Sequence, residues 1–187
     1  MKSKMTNPVK FASLLGLVII FLSFIAYGSL NRIYSLPENN VTNVKNTLIN
    51  TVKTDASLRD NIVDFGTELL GKPYVSGGCS KDGFDCSGFV FYVFQHYKIL
   101  VPRSSSQFNN FGKEIPIEKV KKGDILVFLS PTRNVIGHIG IVTNPKGKES
   151  DFIHASSGKD MKVIITSLKK EGYARRFVKA VDVISTY

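Results

Sequence analysis

The hydrophobic positions of the chain change period several times, and each change marks a different kind of element. From Phe11 to Leu30 the run FASLLGLVIIFLSFIAYGSL carries no charge, and roughly 20 apolar residues suffice to cross a bilayer. From Asn31 to Asp55 the apolar positions thin out to Val41, Val44, Leu48 and Val52 at loosely helical spacing, with the poor helix formers Asn and Thr between them, which predicts a stalk or a loosely packed helix. Leu58, Ile62, Phe65 and Leu69 then recur on one helical face, with Ser57 as N-cap, Asp60 three residues on, and Gly71 and Pro73 as the stop. A second helix follows from the spacing of Cys86, Val90, Val93 or Phe94, and Tyr97. After the loop signal Val101-Pro102-Arg103-Ser104-Ser105 the period shortens to that of strands: Ile125 to Leu129, Ile136 to Thr143, Asp151 to Ala155 and Val163 to Thr166. The pattern predicts an α+β fold, N-terminal helices packed on an antiparallel sheet of about five strands.

Composition limits how many domains this pattern serves. With 187 residues, 43% of them hydrophobic and 21% charged, the chain suits one globular domain plus an appendage. Lys2, Lys4 and Lys10 precede the apolar run and only Arg32 follows it closely, so the positive-inside tendency puts the N-terminus in the cytoplasm and the remainder outside. Residues 1–10 read as a cytoplasmic basic tail, 11–30 as a transmembrane signal-anchor, 31–56 as linker or stalk, and 57–187 as the folded, extracytoplasmic domain. Ala26-Tyr27-Gly28 also has the small-residue spacing of a signal-peptidase site, so the alternative is a cleaved signal peptide and a secreted domain. The formal net charge of +10 favours anionic surroundings such as cell-wall polymers or lipid head groups. Basic runs interleaved with aromatics are missing, and Lys119-Val120-Lys121-Lys122 reads as a solvated turn, so nucleic acid is not an expected partner.

The candidate chemistry lies where the helix and strand patterns meet. A glycine-rich loop, Tyr74 to Gly83, delivers Phe84-Asp85-Cys86-Ser87-Gly88 at the start of the second helix. A helix N-terminus carries unpaired amides and partial positive charge, which favours thiolate; by position alone Cys86 is expected to be activated. The amides of Cys86 and Ser87 are candidates to hold an oxyanion. Alternation along Ile136 to Thr143 puts His138, Gly140 and Val142 on one face, with His154 beside His138 on the next strand, so that one histidine takes the thiol proton and the other orients it. His96 points away from this site. A Cys79–Cys86 disulfide would silence the nucleophile, and a zinc site of Cys79, Cys86, His138 and His154 is disfavoured by the six residues between the cysteines.

Together these segments resemble the NlpC-type cysteine endopeptidases of bacterial cell walls, whose fold is a small relative of papain's. The resemblance runs from about Leu58 to Phe177 and rests on Pro73-Tyr74-Val75-Ser76-Gly77-Gly78, Phe84-Asp85-Cys86-Ser87-Gly88-Phe89-Val90, Pro102-Arg103-Ser104-Ser105 with Gln107, Lys122-Gly123-Asp124-Ile125, Gly137-His138-Ile139-Gly140-Ile141, Phe152-Ile153-His154-Ala155-Ser156 and Arg175-Arg176. It implies Cys86 as nucleophile, His138 as base and then acid, His154 as the orienting third residue, and Tyr74 near the oxyanion. It also implies murein stem peptides as substrate, cut between γ-D-glutamate and the diamino acid, with no metal or cofactor. The long loop Asn144 to Ser150 is expected to edge the substrate groove, and Ser76 stands where many members have tryptophan. Two other classes stay open: a papain-like amidase or acyltransferase acting on lipid or another amide, and a non-catalytic wall-binding protein, against which the intact Cys86, His138 and His154 argue.

Overall fold

The computed structural model describes residues 38–185; the basic tail 1–10 and the apolar segment 11–30 lie outside them. Among the described residues no helix is long and apolar enough to cross a membrane. The chain divides into two units, Met1–Thr51 and Val52–Tyr187. Helix α1 spans Glu38–Thr67, so it runs straight through Ser57, and the expected N-cap there is not one. From Glu38 on, the preceding Asn/Thr stretch takes the helical alternative. Thr47 and Thr51 satisfy their hydroxyls on the carbonyls of Asn43 and Thr47, and propagation from an already formed helix is far cheaper than nucleation. Val44, Leu48 and Val52 remain exposed.

In the larger unit, helix α2 (Cys86–His96) is capped by Asp85, whose carboxylate accepts the Gly88 amide at 2.6 Å. The short hairpin β1 (Cys79–Ser80) and β2 (Gly83–Phe84) precedes it. Six strands form the sheet: β3 (Lys113–Ile115), β4 (Ile125–Leu129), β5 (Ile136–Asn144), β6 (Asp151–Ser156), β7 (Lys162–Ser167) and β8 (Phe177–Asp182). Their order is β3-β8-β4-β5-β6-β7, with every pairing antiparallel. The four expected strands are present to within a residue at each end, while β3 and β8 carry too little alternating apolar pattern to have been read. A four-residue helix, α3 (Glu171–Ala174), leads into β8.

Both faces of the sheet are covered, which is why β4 reads as a continuous apolar run. One face, with Ile125, Val127, Ile139, Ile141 and Ile153, packs with Ile62 of α1 and Phe89 and Val93 of α2. The other, with Leu126, Phe128, Val142 and Phe152, packs with Ile117, Val120 and Leu168. Arg59 fastens α1 to the sheet: Nη1 donates to Asp124 Oδ1 at 2.7 Å and Nη2 to Asp182 Oδ1 at 2.9 Å. Asp60, expected to serve the cap, instead pairs with Lys122 at the surface.

Candidate active site

Helix α2 is held at its N-terminus by a clamp that neither hydropathy nor periodicity reveals. Arg103 donates through Nη1 to Asp85 Oδ1 at 3.0 Å and Ser87 Oγ at 3.1 Å, and through Nη2 to Asp85 Oδ2 at 2.9 Å and Gly77 O at 2.8 Å. One guanidinium thus ties the glycine-rich loop to the helix cap, a task for a planar fork of donors. Gly88 lets the two approach, since a Cβ there would run into the Gly78 carbonyl. Ser87 Oγ is spent on Asp85 and Arg103, so only its amide is available to the site.

The β5–β6 ladder runs from Ile141 to Asn144, which leaves the first half of β5 free to meet Cys86. The thiol lies against that segment, its Sγ donating to Gly137 O at 3.8 Å. Burial pushes the thiol's pKa up, and the Asp85 carboxylate adds to the effect; the amides of Ile139, Ser87 and Cys86 oppose it without prevailing. This corrects the expectation that position alone activates Cys86. The helix amides are present, but desolvation and an adjacent anion outweigh them, so the site favours the neutral thiol.

Both sequence-predicted histidines belong to a buried chain of polar groups. His138 Nε2 lies 3.0 Å from His154 Nδ1, and His154 Nε2 lies 3.2 Å from Thr166 Oγ1. If Nε2–H of His138 donates to His154, then His154 carries its own proton on Nε2 and donates to Thr166, and His138 Nδ1 keeps a free lone pair; the reverse tautomer fills it. The rings meet edge to face with centroids 4.8 Å apart. Gly140 makes the space: a Cβ there would meet the Phe152 ring at 2.6 Å and His154 Cβ at 3.1 Å. Burial drives His138 well below its ordinary pKa, assisted by His154 and by the charge of Arg176. Burial likewise lowers His154, to about 4. Both imidazoles are therefore neutral at neutral pH.

Cys86, Gly137 and His138 share a cleft of about 180 Å³ with Tyr74, Ser157, Tyr173 and Arg176. Tyr74 lines the cleft, its hydroxyl bonded to Ser157 and its pKa raised by burial and by Cys86. Tyr173 and Arg176 were not singled out: Arg176 appeared only as part of a matching dipeptide, and Tyr173 sits in a stretch without periodicity. Cys79 is unbridged, as is Cys86, and its Sγ donates to Gly88 O at 3.5 Å. Among the described residues no group of His, Cys, Asp or Glu is arranged to hold a metal ion. His96 stacks on Phe65 with centroids 4.0 Å apart, away from the cleft. The loop after β5 does not edge the groove. It follows the opposite end of a nine-residue strand from Gly137, about 20 Å away at strand rise, and is closed on itself by Ser150 Oγ donating to Gly147 O.

Comparison with known proteins gives a consistent picture. A family model described as NlpC/P60 family matches residues 71–182. The murein DD-endopeptidase MepH of Escherichia coli K12 is 35% identical over 117 residues, 60% of this chain and 41% of that protein. A gamma-D-glutamyl-L-lysine dipeptidyl-peptidase of Bacillus subtilis 168 is 36% identical over 83 residues, 44% of this chain and 28% of its own. The chain thus spans less than half the length of either. Among solved structures, an NlpC/P60 family protein from Bacillus cereus ATCC 10987 superposes with a TM-score of 0.60 at 28% identity, over 67% of this chain and 40% of that one. The NlpC/p60 domain of the peptidoglycan hydrolase SagA gives 0.55 at 28% identity, over 66% of this chain and 97% of that domain.

Proposed function

The chain belongs to the NlpC/P60 family, and from that premise we propose that it is a peptidoglycan endopeptidase, a cysteine hydrolase that cuts murein stem peptides between γ-D-glutamate and the diamino acid. The observation that carries the proposal is the meeting of one thiol and one braced imidazole in a single cleft: Cys86 and His138 both line it, and His138 is held through Nε2 by His154. Relatives named as murein endopeptidases and γ-D-glutamyl peptidases support the substrate class.

The proposed chemistry follows from which atoms are free. With Nε2 committed to His154, His138 Nδ1 takes the Cys86 proton as the sulfur attacks the scissile carbonyl, so that the charge pair forms during attack rather than before it. The helix-start amides of Cys86 and Ser87 receive the oxyanion, a donor of this kind being worth about 3 to 4 kcal/mol of barrier. The imidazolium then returns its proton to the departing amine, leaving a thioester on Cys86. Water, deprotonated by His138, releases the γ-D-glutamyl acid and restores the thiol. Tyr74, which lines the cleft with Ser157, stands near the oxyanion in this scheme.

Residues 57–187 are the proposed peptidase domain, 31–56 a stalk, and 11–30 a signal-anchor that leaves the domain outside the cytoplasmic membrane. Carbonate extraction of membranes tests the last point: the anchored chain stays in the pellet, whereas cleavage at Ala26-Tyr27-Gly28 releases it. The activity is tested by digesting purified murein with the full chain in mild detergent and identifying new termini by mass spectrometry. Fragments ending at D-glutamate, lost in Cys86→Ala, are expected; untouched murein alongside lipid turnover would replace this reading with that of an amidase or acyltransferase acting on lipid.

A further inference from the structure

Arg176 is the one cleft-lining residue with a permanent charge, and the acyl transfer just described leaves it unused. Its guanidinium is fixed in place: Nε donates to Gly172 O at 2.7 Å, Nη1 donates to Leu129 O at 2.8 Å, and Cζ sits 5.0 Å from the centroid of the Tyr173 ring. Carbonyl oxygens and a π face orient a cation without neutralising it. Among the described residues no carboxylate pairs with Arg176, whereas Arg59 and Arg103 each meet carboxylates at 2.7 to 2.9 Å. A half-buried, pre-oriented guanidinium without a counter-charge, open to a cleft, is completed by a carboxylate from a ligand.

We propose that Arg176 is a specificity-determining residue that binds a carboxylate of the substrate on the leaving-group side of the scissile bond; this rests on the endopeptidase reading above. The side follows from packing. Arg176 lies on Tyr173, whose ring centroid is 5.9 Å from that of His138 and 5.2 Å from that of His154, so the cation belongs to the histidine wall of the cleft. The histidine is the group that hands a proton to the departing amine, and the residue carrying that amine is the diamino acid. The ligand is therefore a free carboxylate of the diamino acid, on its side chain or at a C-terminus. A carboxamide in the same place leaves the guanidinium uncompensated.

Occupancy has a second effect. The charge of Arg176 helps to keep both histidines neutral; Lys170 adds to this at His154, and Asp160 opposes it. A carboxylate seated on Arg176 cancels the largest of these fields common to both rings, so His138 gains proton affinity when the matching substrate is bound.

Two alkylating agents that differ in charge test the carboxylate subsite without any turnover. Iodoacetate and iodoacetamide are applied to the full chain, and peptide mass spectrometry reads Cys86 separately from Cys79. The iodoacetate-to-iodoacetamide rate ratio at Cys86 is expected to exceed that of glutathione, to fall about tenfold in Arg176→Gln, and to survive in part in Arg176→Lys. An unchanged ratio in Arg176→Gln overturns the inference; if that variant also slows iodoacetamide, the ratio in Arg176→Lys decides. With γ-D-glutamyl diaminopimelate peptides, replacing the diamino acid's carboxylate by a carboxamide is expected to lower kcat/KM about tenfold, chiefly through KM, and Arg176→Gln to erase the difference. Equal wild-type rates on the two peptides overturn the inference. No cleavage of either sinks the endopeptidase reading, while the alkylation ratio still decides on Arg176.

Discussion

Two buried polar assemblies sit in the larger unit, Arg59 with Asp124 and Asp182, and His138 with His154 and Thr166, and they meet the cost of burial in opposite ways. In the first, an arginine only 3% exposed meets carboxylates at 2.7 and 2.9 Å, so charge is retained because each charge has an opposite partner. In the second, the groups give up their charge: burial holds both imidazoles neutral, and the nearest permanent cation, Arg176, has no carboxylate among the described residues. The balanced cluster locks α1 to β4 and β8 and has nothing left to offer a ligand. The neutral chain borders a cleft, and its protons are free to move. A buried ionisable group here keeps its charge where opposite charges pair with it, and loses it where burial acts without such a partner.

Substitution should separate the two. The largest effect belongs to the neutral chain: His138→Ala is expected to lower kcat by about 10⁴-fold or more while leaving the thermal midpoint close to wild type, as measured by murein turnover beside a melting curve. Loss of folding in step with activity would erase the distinction. At the balanced cluster the pattern reverses. Arg59→Met strands two buried carboxylates and is expected to cost about 3 to 5 kcal/mol of stability in denaturant titrations, with turnover per folded molecule unchanged.

The smallest effect, and the sharpest discrimination, is in the pH dependence of stability. His154 is lowered from 6.5 to about 4, so on acidification the unfolded chain takes up a proton that the native chain refuses. Its contribution is complete above about pH 6.5 and is lost as the pH falls toward 4. His154→Gln should reduce that limb, leaving the part that belongs to His138, which burial lowers as well. For Asp182, burial alone would raise the pKa, but hydrogen bonds from Ser185 and Ile184 and the charge of Arg59 bring it from 3.8 down to about 2. That contribution is present above about pH 4 and vanishes between 4 and 2, a limb that Asp182→Asn should remove. Asp124 is raised by burial despite Arg59 and runs the other way. Urea midpoints from pH 7 to 2 resolve the two limbs; a single slope unaffected by either variant would show that the clusters are not distinct.

Much of this molecule was legible in the chain because short-range pattern carries it. Short apolar and alternating runs gave four of the six strands, β4 to β7, and Asp85 before an apolar helical run gave the start of α2 with Cys86 at its tip. The same alternation put His138 beside His154, and Gly140, which has no side chain to keep the rings apart, is in the sequence for anyone to read. What failed, failed locally. Ser57 looked like a helix start because a capping residue before an apolar repeat is the usual signal, yet α1 was already under way. The loop from Asn144 to Ser150 was placed at the groove from its length, although strand direction carries it to the other end of β5.

The sequence by itself determined the order of elements, the place of Cys86 at a helix start and the residue types available to the cleft, since these depend on neighbours within a turn or two of the chain. Only the tertiary structure decided the charge states and the company they keep. That burial raises the thiol's pKa and lowers those of both imidazoles, that Arg103 clamps the loop and that Arg176 faces the cleft without a carboxylate partner all depend on desolvation and on charges brought together across long sequence separations. A local pattern does not encode the distance to a charge that arrives only on folding.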